Sequence, residues 1–387
     1  MKLRSWPLVA AAVLFAPAGT PQSQKPVVIG ESFTIHSAAL NEDRAYYIAK
    51  PAGYDGGTER YPVLYVLDGE SHFKYASAAA ELLASADRTP GLIVVGIASG
   101  SIQQRTRDLT PPSTDPADQR FAPGNGGASK FLAFLTRELQ PLIEKTYRTR
   151  PYRLLAGHSY GGLFAAYVLA EKPAAFHAYL AIDPSLGWNR GAVVDQIGQM
   201  LSSAKSLRAD IFLATAHSSA PKPGDPVRKF AELLAATTTP GLHSAFVAMN
   251  DETHMSIPIR GLHQGLDTVF DGWHLTDPLA LYDRGGIEAI HRHFREGGER
   301  YGYVQTTSPF MVSMIVAELI WSGRLDEAAR VLVHDPKTYP PPWNQFDALA
   351  RAYDARGDRE KTIHLSRVAR VESQKRVGTY KTPRDRR

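Results

Sequence analysis

Between residues 27 and 275, short unbroken apolar runs alternate with longer helical stretches. The runs are Ala45–Ile48, Tyr61–Leu67, Gly91–Ile97, Tyr152–Ala156, Ala178–Ile182, Asp210–Thr215 and His243–Met249. They are continuous rather than alternating, which predicts strands covered on both faces. The intervening stretches, Tyr75–Ala86, Gly127–Tyr147, Gly161–Glu171, Ala192–Ala204, Pro226–Ala236 and Ile259–Phe270, predict helices. Strand–helix alternation of this kind predicts an α/β fold, a mostly parallel central sheet with helices on both sides.

The pattern changes near Asp277, beyond which no segment reads as a strand. Gly323–Ala328 (GRLDEA) and Gly357–Thr362 (GDREKT) recur 34 residues apart, and Ala317–Trp321 aligns with Arg351–Ala355. A helix–turn–helix period of this length is the tetratricopeptide signature, although two units are fewer than such stacks usually need. Residues 277–387 therefore read as an all-α, helical-repeat-like region, one that can lean on the preceding domain and offer a protein-docking surface. At the other end, Lys2 and Arg4 precede the apolar run Leu8–Phe15 and the small residues Ala16-Pro17-Ala18. That is the layout of an export signal over residues 1–24. The run is far shorter than the ~20 apolar residues a spanning helix needs. The expectation is a periplasmic or secreted protein with no membrane span once the signal is removed, and residues 25–276 as the catalytic domain.

Composition narrows the chemistry. The chain lacks cysteine, which excludes thiol nucleophiles, disulfides and zinc–thiolate sites. A formal charge of +5 over 387 residues is too mild to suggest nucleic acid as a partner. Basic residues gather at the end: Arg367 to Arg387 holds eight against two acidic ones, which reads as a solvated tail. His291 and His293 lie in the helical region without carboxylates at ligand spacing, so no metal site is expected.

The strongest local signal is Gly157-His158-Ser159-Tyr160-Gly161-Gly162. It follows an apolar strand and opens an apolar helix, the setting that a G-x-S-x-G nucleophile elbow requires. A serine hydroxyl needs a base within hydrogen-bond reach. His254 is best placed, just past the last strand and before a helix. His243 begins that strand, at the wrong edge of the sheet, and His263 lies within the following helix. His217 follows the fifth helix-flanked strand, where an acid is expected. The third member has several candidates. Asp225 is the carboxylate in the loop after Asp210–Thr215 and is the expected one. Asp183, after Ala178–Ile182, is an alternative, Asp251 and Glu252 sit beside the base, and a Ser–His pair without an acid is also open. Two backbone N–H groups should form the oxyanion hole: that of Tyr160 and one from Asp68–Ser71, at Glu70 or Gly69. Arg105 is a candidate for an acidic or hydroxyl-rich substrate, or for an Arg–Asp pair that pins its loop. Trp188 is a candidate for lining the acyl or alcohol pocket, or for packing in the core.

The segments YPVLYVLDGE, VVGI with RTRDLTP, LQPLIEKTYRT, RLLAGHSYGGLFAAYVL, YLAIDPSLGW and DETHMSIP resemble, in matching order over residues 27–275, the putative-esterase family of α/β-hydrolases. That family includes the enterochelin- and salmochelin-type siderophore esterases and esterase D. The resemblance implies an α/β-hydrolase fold with Ser159 as nucleophile and His254 as base. It also implies a carboxylic-ester hydrolase acting on a small-molecule ester such as a siderophore, with no cofactor. Two departures concern the acid. Family members often carry Glu or Asp where this chain has His217-Ser218-Ser219, and Asp183 stands where the family has the first serine of a Ser-Pro-Ser run. Acyl transfer or peptide cleavage on the same site, and a non-enzymatic binding module with a docking tail, are the rival readings.

Overall fold

The computed structural model describes residues 26–217, 224–302, 307–334 and 343–377. The signal-like segment 1–24 and the end of the basic tail lie outside them. Eight strands form one sheet: β1 (Glu31–Ser37), β2 (Glu42–Ala49), β3 (Tyr61–Val66), β4 (Ile93–Ile97), β5 (Thr149–His158), β6 (Ala178–Ile182), β7 (Ala209–Ala216) and β8 (Leu242–Met249). Their spatial order is β1-β2-β4-β3-β5-β6-β7-β8. β1 and β2 pair antiparallel, as do β2 and β4, and every pairing from β4 onward is parallel. This is the mostly parallel sheet expected from the alternation of runs, in the α/β-hydrolase arrangement that the resemblance implied.

β1 was not foreseen. Its sequence, ESFTIHS, alternates: Phe33 and Ile35 pack against the core while their neighbours face solvent. That is the signature of a strand buried on one face, and it carries no continuous apolar run. The last run, β8, is an edge strand with one face exposed at Ser244, Phe246 and Ala248, against the expectation of two-sided burial. Five of the others, which became β3–β7, are covered on both sides. On one face lie α1 (Gly69–Ser85) and α9 (Ile257–Val269), packed over Leu64, Val66, Leu154, Leu180 and Phe212. On the other lie α2 (Ile102–Leu109), α3 (Pro116–Phe121), α4 (Ala128–Phe134), α5 (Gln140–Thr146), α6 (Tyr160–Glu171), α7 (Ala192–Ser203) and α8 (Pro226–Ala236). Most of them pack over Val63, Tyr65, Leu155, Tyr179 and Leu213. A π turn, Leu135–Leu139, joins α4 to α5, so the single predicted helix 127–147 is continuous but underwound at its centre. At 25 cal/mol per Å², each fully buried Leu or Phe contributes roughly 1.5–3 kcal/mol, and this two-sided burial holds the sheet edge rigid beneath the site.

The remaining helices are α10 (Pro278–Arg300), interrupted at Gly285 and Gly286, α11 (Pro309–Trp321), α12 (Leu325–Val333), α13 (Trp343–Ala355) and α14 (Arg359–Val377). α11 and α13 begin 34 residues apart, as do α12 and α14. The glycines at the two hairpin turns, Gly323 and Gly357, have φ of 77° and 80°, a conformation open chiefly to glycine. These helices share an apolar cluster of their own, from Leu275 to Ala369. They are fastened to the amino ends of the strands. Arg300 donates to Asp210 (2.7 Å), which also accepts from Tyr152 (2.5 Å), and Tyr301 is buried against Tyr152, Phe270 and Trp273.

Candidate active site

β5 ends at His158, and Ser159 turns the chain into α6 with φ 59° and ψ −116°. A non-glycine residue held there costs about 1–3 kcal/mol, and the surrounding contacts maintain it. The Ser159 N–H donates to the Ile182 carbonyl (3.1 Å), while its own carbonyl accepts from Leu163 (3.0 Å) and Ser185 (3.1 Å). Gly157 is obligatory: a Cβ there would lie 2.2 Å from the Gly161 carbonyl oxygen. The turn leaves the Ser159 hydroxyl at the carboxyl edge of the sheet, above the amino end of α6.

Strand register brings the partners in. His158 is paired with Ile182, so the residues that follow, Ser159 and Asp183, leave neighbouring strands side by side. Asp183 is buried, with φ 42°. Its N–H donates to the Ala214 carbonyl (2.7 Å), and its Oδ1 accepts from the Ala216 N–H (3.1 Å). The loop after β8 reaches back over β7 and β6 to place His254 between the two. His254 Nδ1 lies 2.6 Å from Asp183 Oδ2, and Nε2 lies 3.1 Å from Ser159 Oγ. The carboxylate side of this chain is buried and the imidazole side is about two-fifths exposed, so the imidazole is open to solvent while the carboxylate is shielded from it. Ser185 Oγ stands 3.4 Å from Ser159 Oγ.

The expected acid, Asp225, is placed elsewhere. It is the N-cap of α8, where its carboxylate accepts from the Val227 N–H (2.8 Å) and Pro226 occupies the first helical position. Asp followed by Pro before a helix is the local signature of a cap, and that signal was present in the sequence. The carboxylate against His254 is that of Asp183. Asp251 pairs with Arg260, and Glu252 accepts from Ser256 (2.5 Å).

Tyr160 and Gly69 open α6 and α1, and Glu70 follows Gly69. The first N–H groups of a helix have no partner within it and carry the positive end of its dipole; α6 starts directly after Ser159. The Glu70 side chain accepts from the N–H groups of Ser99 (3.1 Å) and Gly100 (2.8 Å). Arg105 binds Asp68 through two parallel bonds, 2.6 and 2.8 Å. It forms an Arg–Asp pair, with Asp68 rather than with Asp108, which pairs with Arg107 and Arg44 instead. Trp188 is buried. Its Nε1 donates to the Pro111 carbonyl (2.9 Å) and its ring meets Tyr160 edge-on, so it packs in the core behind the elbow.

Sequence reasoning did not single out the rings behind the base. His158 lies against His254 with ring centroids 4.5 Å apart, and His72 lies against His158 at 5.9 Å. Burial, helped by the neighbouring His254 and His72, lowers the His158 pKa to about 4. Burial also lowers that of His72. Both rings are therefore neutral at neutral pH; His158 packs against His254, and His72 against His158, without adding charge.

The chain is similar to known esterases. The pattern of the family described as Putative esterase matches residues 37–276. The ferri-bacillibactin esterase BesA of Bacillus subtilis is 31% identical over 242 residues, covering 57% of this chain and 83% of that protein. The apo-salmochelin esterase of Escherichia coli O6:H1 is 33% identical over a shorter stretch, 35% of this chain and 45% of that protein. An IroE-like serine hydrolase from Shewanella oneidensis superposes with a TM-score of 0.61 at 25% identity. It covers 88% of this chain and 99% of that one, so the likeness extends into the helical region.

Proposed function

From the premise that the chain belongs to the Putative esterase family and is an ester hydrolase of it, we propose a serine mechanism in which Ser159, His254 and Asp183 act as a triad. One observation carries the reading: the unbroken chain Asp183–His254–Ser159, with links of 2.6 and 3.1 Å, at the edge of a nucleophile elbow. Asp183 holds the imidazole with its proton on Nδ1, leaving Nε2 to take the Ser159 proton as the hydroxyl attacks the ester carbonyl. The oxyanion is held by the N–H of Tyr160 and by that of Glu70 or Gly69. His254 then protonates the leaving alcohol, and water, activated by the same base, clears the acyl-enzyme.

The substrate class we propose is a small-molecule ester, a siderophore ester among them. It is supported by the names of two relatives, a ferri-bacillibactin esterase and an apo-salmochelin esterase. We take residues 25–276 as the catalytic domain and 277–387 as a tetratricopeptide-like region available for protein contact. The segment 1–24 we take as an export signal that delivers the protein to the periplasm or beyond the cell. No helix among the described residues is long and apolar enough to cross a membrane.

The test is hydrolysis of p-nitrophenyl acetate and butyrate alongside fluorophosphonate labelling. Wild type should do both and Ser159→Ala neither. Hydrolysis retained by folded Ser159→Ala would overturn the assignment.

A further inference from the structure

β8 is the last strand of the sheet, with β7 on one side and no strand on the other among the described residues. Its register with β7 is unbroken from Ala209 opposite Leu242 to Ala216 opposite Met249, and the Ala209 N–H donates to the Gly241 carbonyl (3.3 Å). Alternate residues of a strand bond to the same neighbour, so His243, Ala245 and Val247 turn their backbone groups to β7. Ser244, Phe246 and Ala248 turn theirs outward, where they meet no backbone partner among the described residues. An open edge pairs with further chains unless something blunts it. The usual devices are missing from β8: Leu242–Met249 holds no Lys, Arg, Asp, Glu or Pro, and no bulge breaks its register. The side chains of the same three residues share one face, where Phe246 is 40% exposed. One side of α8, carrying Arg228, Ala231, Glu232 and Ala235, borders Phe246 and Ala248 and forms an apolar cleft with them along the edge.

We propose that β8 is the contact between two copies of this chain, paired antiparallel about a two-fold axis at Phe246. The outward N–H and C=O groups call for a strand as the occupant, and the edge is complementary to itself. Centred on Phe246, each Phe246 bonds its counterpart and each Ser244 bonds Ala248 of the second copy, so all three outward residues are used. The two sheets become one, with both α8 helices antiparallel on the same face. Arg228 and Glu232 lie one helical turn apart, so the two-fold brings each toward the opposite charge of the second copy. His243, the one ionisable residue of β8, falls opposite Met249. The two Phe246 rings meet over the alanines and leave water together. Pairing reverses strand direction, so the two carboxyl edges with their Ser159 face opposite ways, and activity per chain does not depend on it.

The test is sedimentation equilibrium of the full chain at micromolar concentrations, a readout independent of the esterase reading. Wild type should run at twice the mass of one chain. Phe246→Asp sets two carboxylates against each other at the axis, and should raise the dimer dissociation constant at least about 100-fold. Its circular dichroism and ester hydrolysis per chain should match wild type. Phe246→Lys should do the same. Because Phe246 meets itself, mixing the two variants should restore a dimer holding one of each. Arg228→Glu should weaken pairing, and adding Glu232→Arg in the same chain should restore it. A monomeric wild type, an open-ended polymer, or a dimer that survives both Phe246 variants would overturn the proposal. Monomeric variants that stay monomeric when mixed would overturn the pairing about Phe246.

Discussion

Replacing Asp183 by Asn tests the triad at its least predictable member. The substitution keeps the shape and removes the charge. In the protein, Asp183 Oδ1 is committed to the Ala216 N–H at 3.1 Å, and Oδ2 faces His254 Nδ1 at 2.6 Å. An Asn side chain satisfies Ala216 only by putting its oxygen there, so its NH2 group must face Nδ1. A donor at that position demands that Nδ1 be the acceptor, which moves the ring proton to Nε2 and aims it at Ser159. The base is then in the wrong tautomer, and the imidazolium formed on attack has lost its buried counter-charge. The expected loss is roughly 10³–10⁴ in kcat, or about 4–5 kcal/mol of transition-state stabilisation. The assay is the steady-state rate on p-nitrophenyl butyrate across pH, with the melting temperature checked to confirm folding. Asp225→Asn is the paired control. Asn caps a helix as well as Asp does, so this variant should keep wild-type kcat and stability. A kcat for Asp183→Asn within tenfold of wild type, or a severe loss in Asp225→Asn, would refute the reasoning.

Other consequences follow from the same geometry. Gly157→Ala would place a methyl 2.2 Å from the Gly161 carbonyl oxygen, so the elbow must open; the expected outcome is loss of fluorophosphonate labelling with a melting temperature several degrees lower. Asp225→Ala removes a cap and should cost about 1 kcal/mol in urea unfolding while leaving kcat unchanged. Burial lowers the pKa values of both His158 and His177 to about 4 from the ordinary 6.5. The unfolded chain therefore binds more protons than the folded one between those values, so stability is full above about pH 6.5 and falls as pH drops toward 4. His158 accounts for up to about 3 kcal/mol of that decline. Urea midpoints measured from pH 7 to 4 should show it, and His158→Gln should flatten the slope; a slope unchanged by that variant would contradict a buried neutral ring.

Much of the fold was legible because strands covered on both faces leave unbroken apolar runs. Ala178–Ile182 and Pro226–Ala236 match the observed β6 and α8 end to end. β1 was not legible, because its apolar residues, Phe33 and Ile35, are separated by polar ones, whereas the other edge strand, β8, is half-exposed yet keeps the run Ala245–Met249. Ser159 and His254 could be found from their immediate surroundings, since an elbow and a loop after the last strand are local features. The acid could not. Its position depends on which strand neighbours β5, and only the pairing of His158 with Ile182 shows that a residue leaving β6 stands beside the nucleophile. The cap motif Asp225-Pro226 was readable in principle and argued against Asp225. The Asp68–Arg105 pair joins two segments apart in sequence, and no spacing rule picks Asp68 over Asp108 as the partner.

The central claim is that Ser159 is an activated nucleophile, and intact-mass measurement after fluorophosphonate treatment tests it most directly. Wild type should gain the mass of one phosphonyl group, located at Ser159 by peptide mapping, and lose ester hydrolysis in step with labelling. Ser159→Ala should gain nothing. Labelling at another residue, or folded wild type left unlabelled while ester hydrolysis persists, would contradict the account.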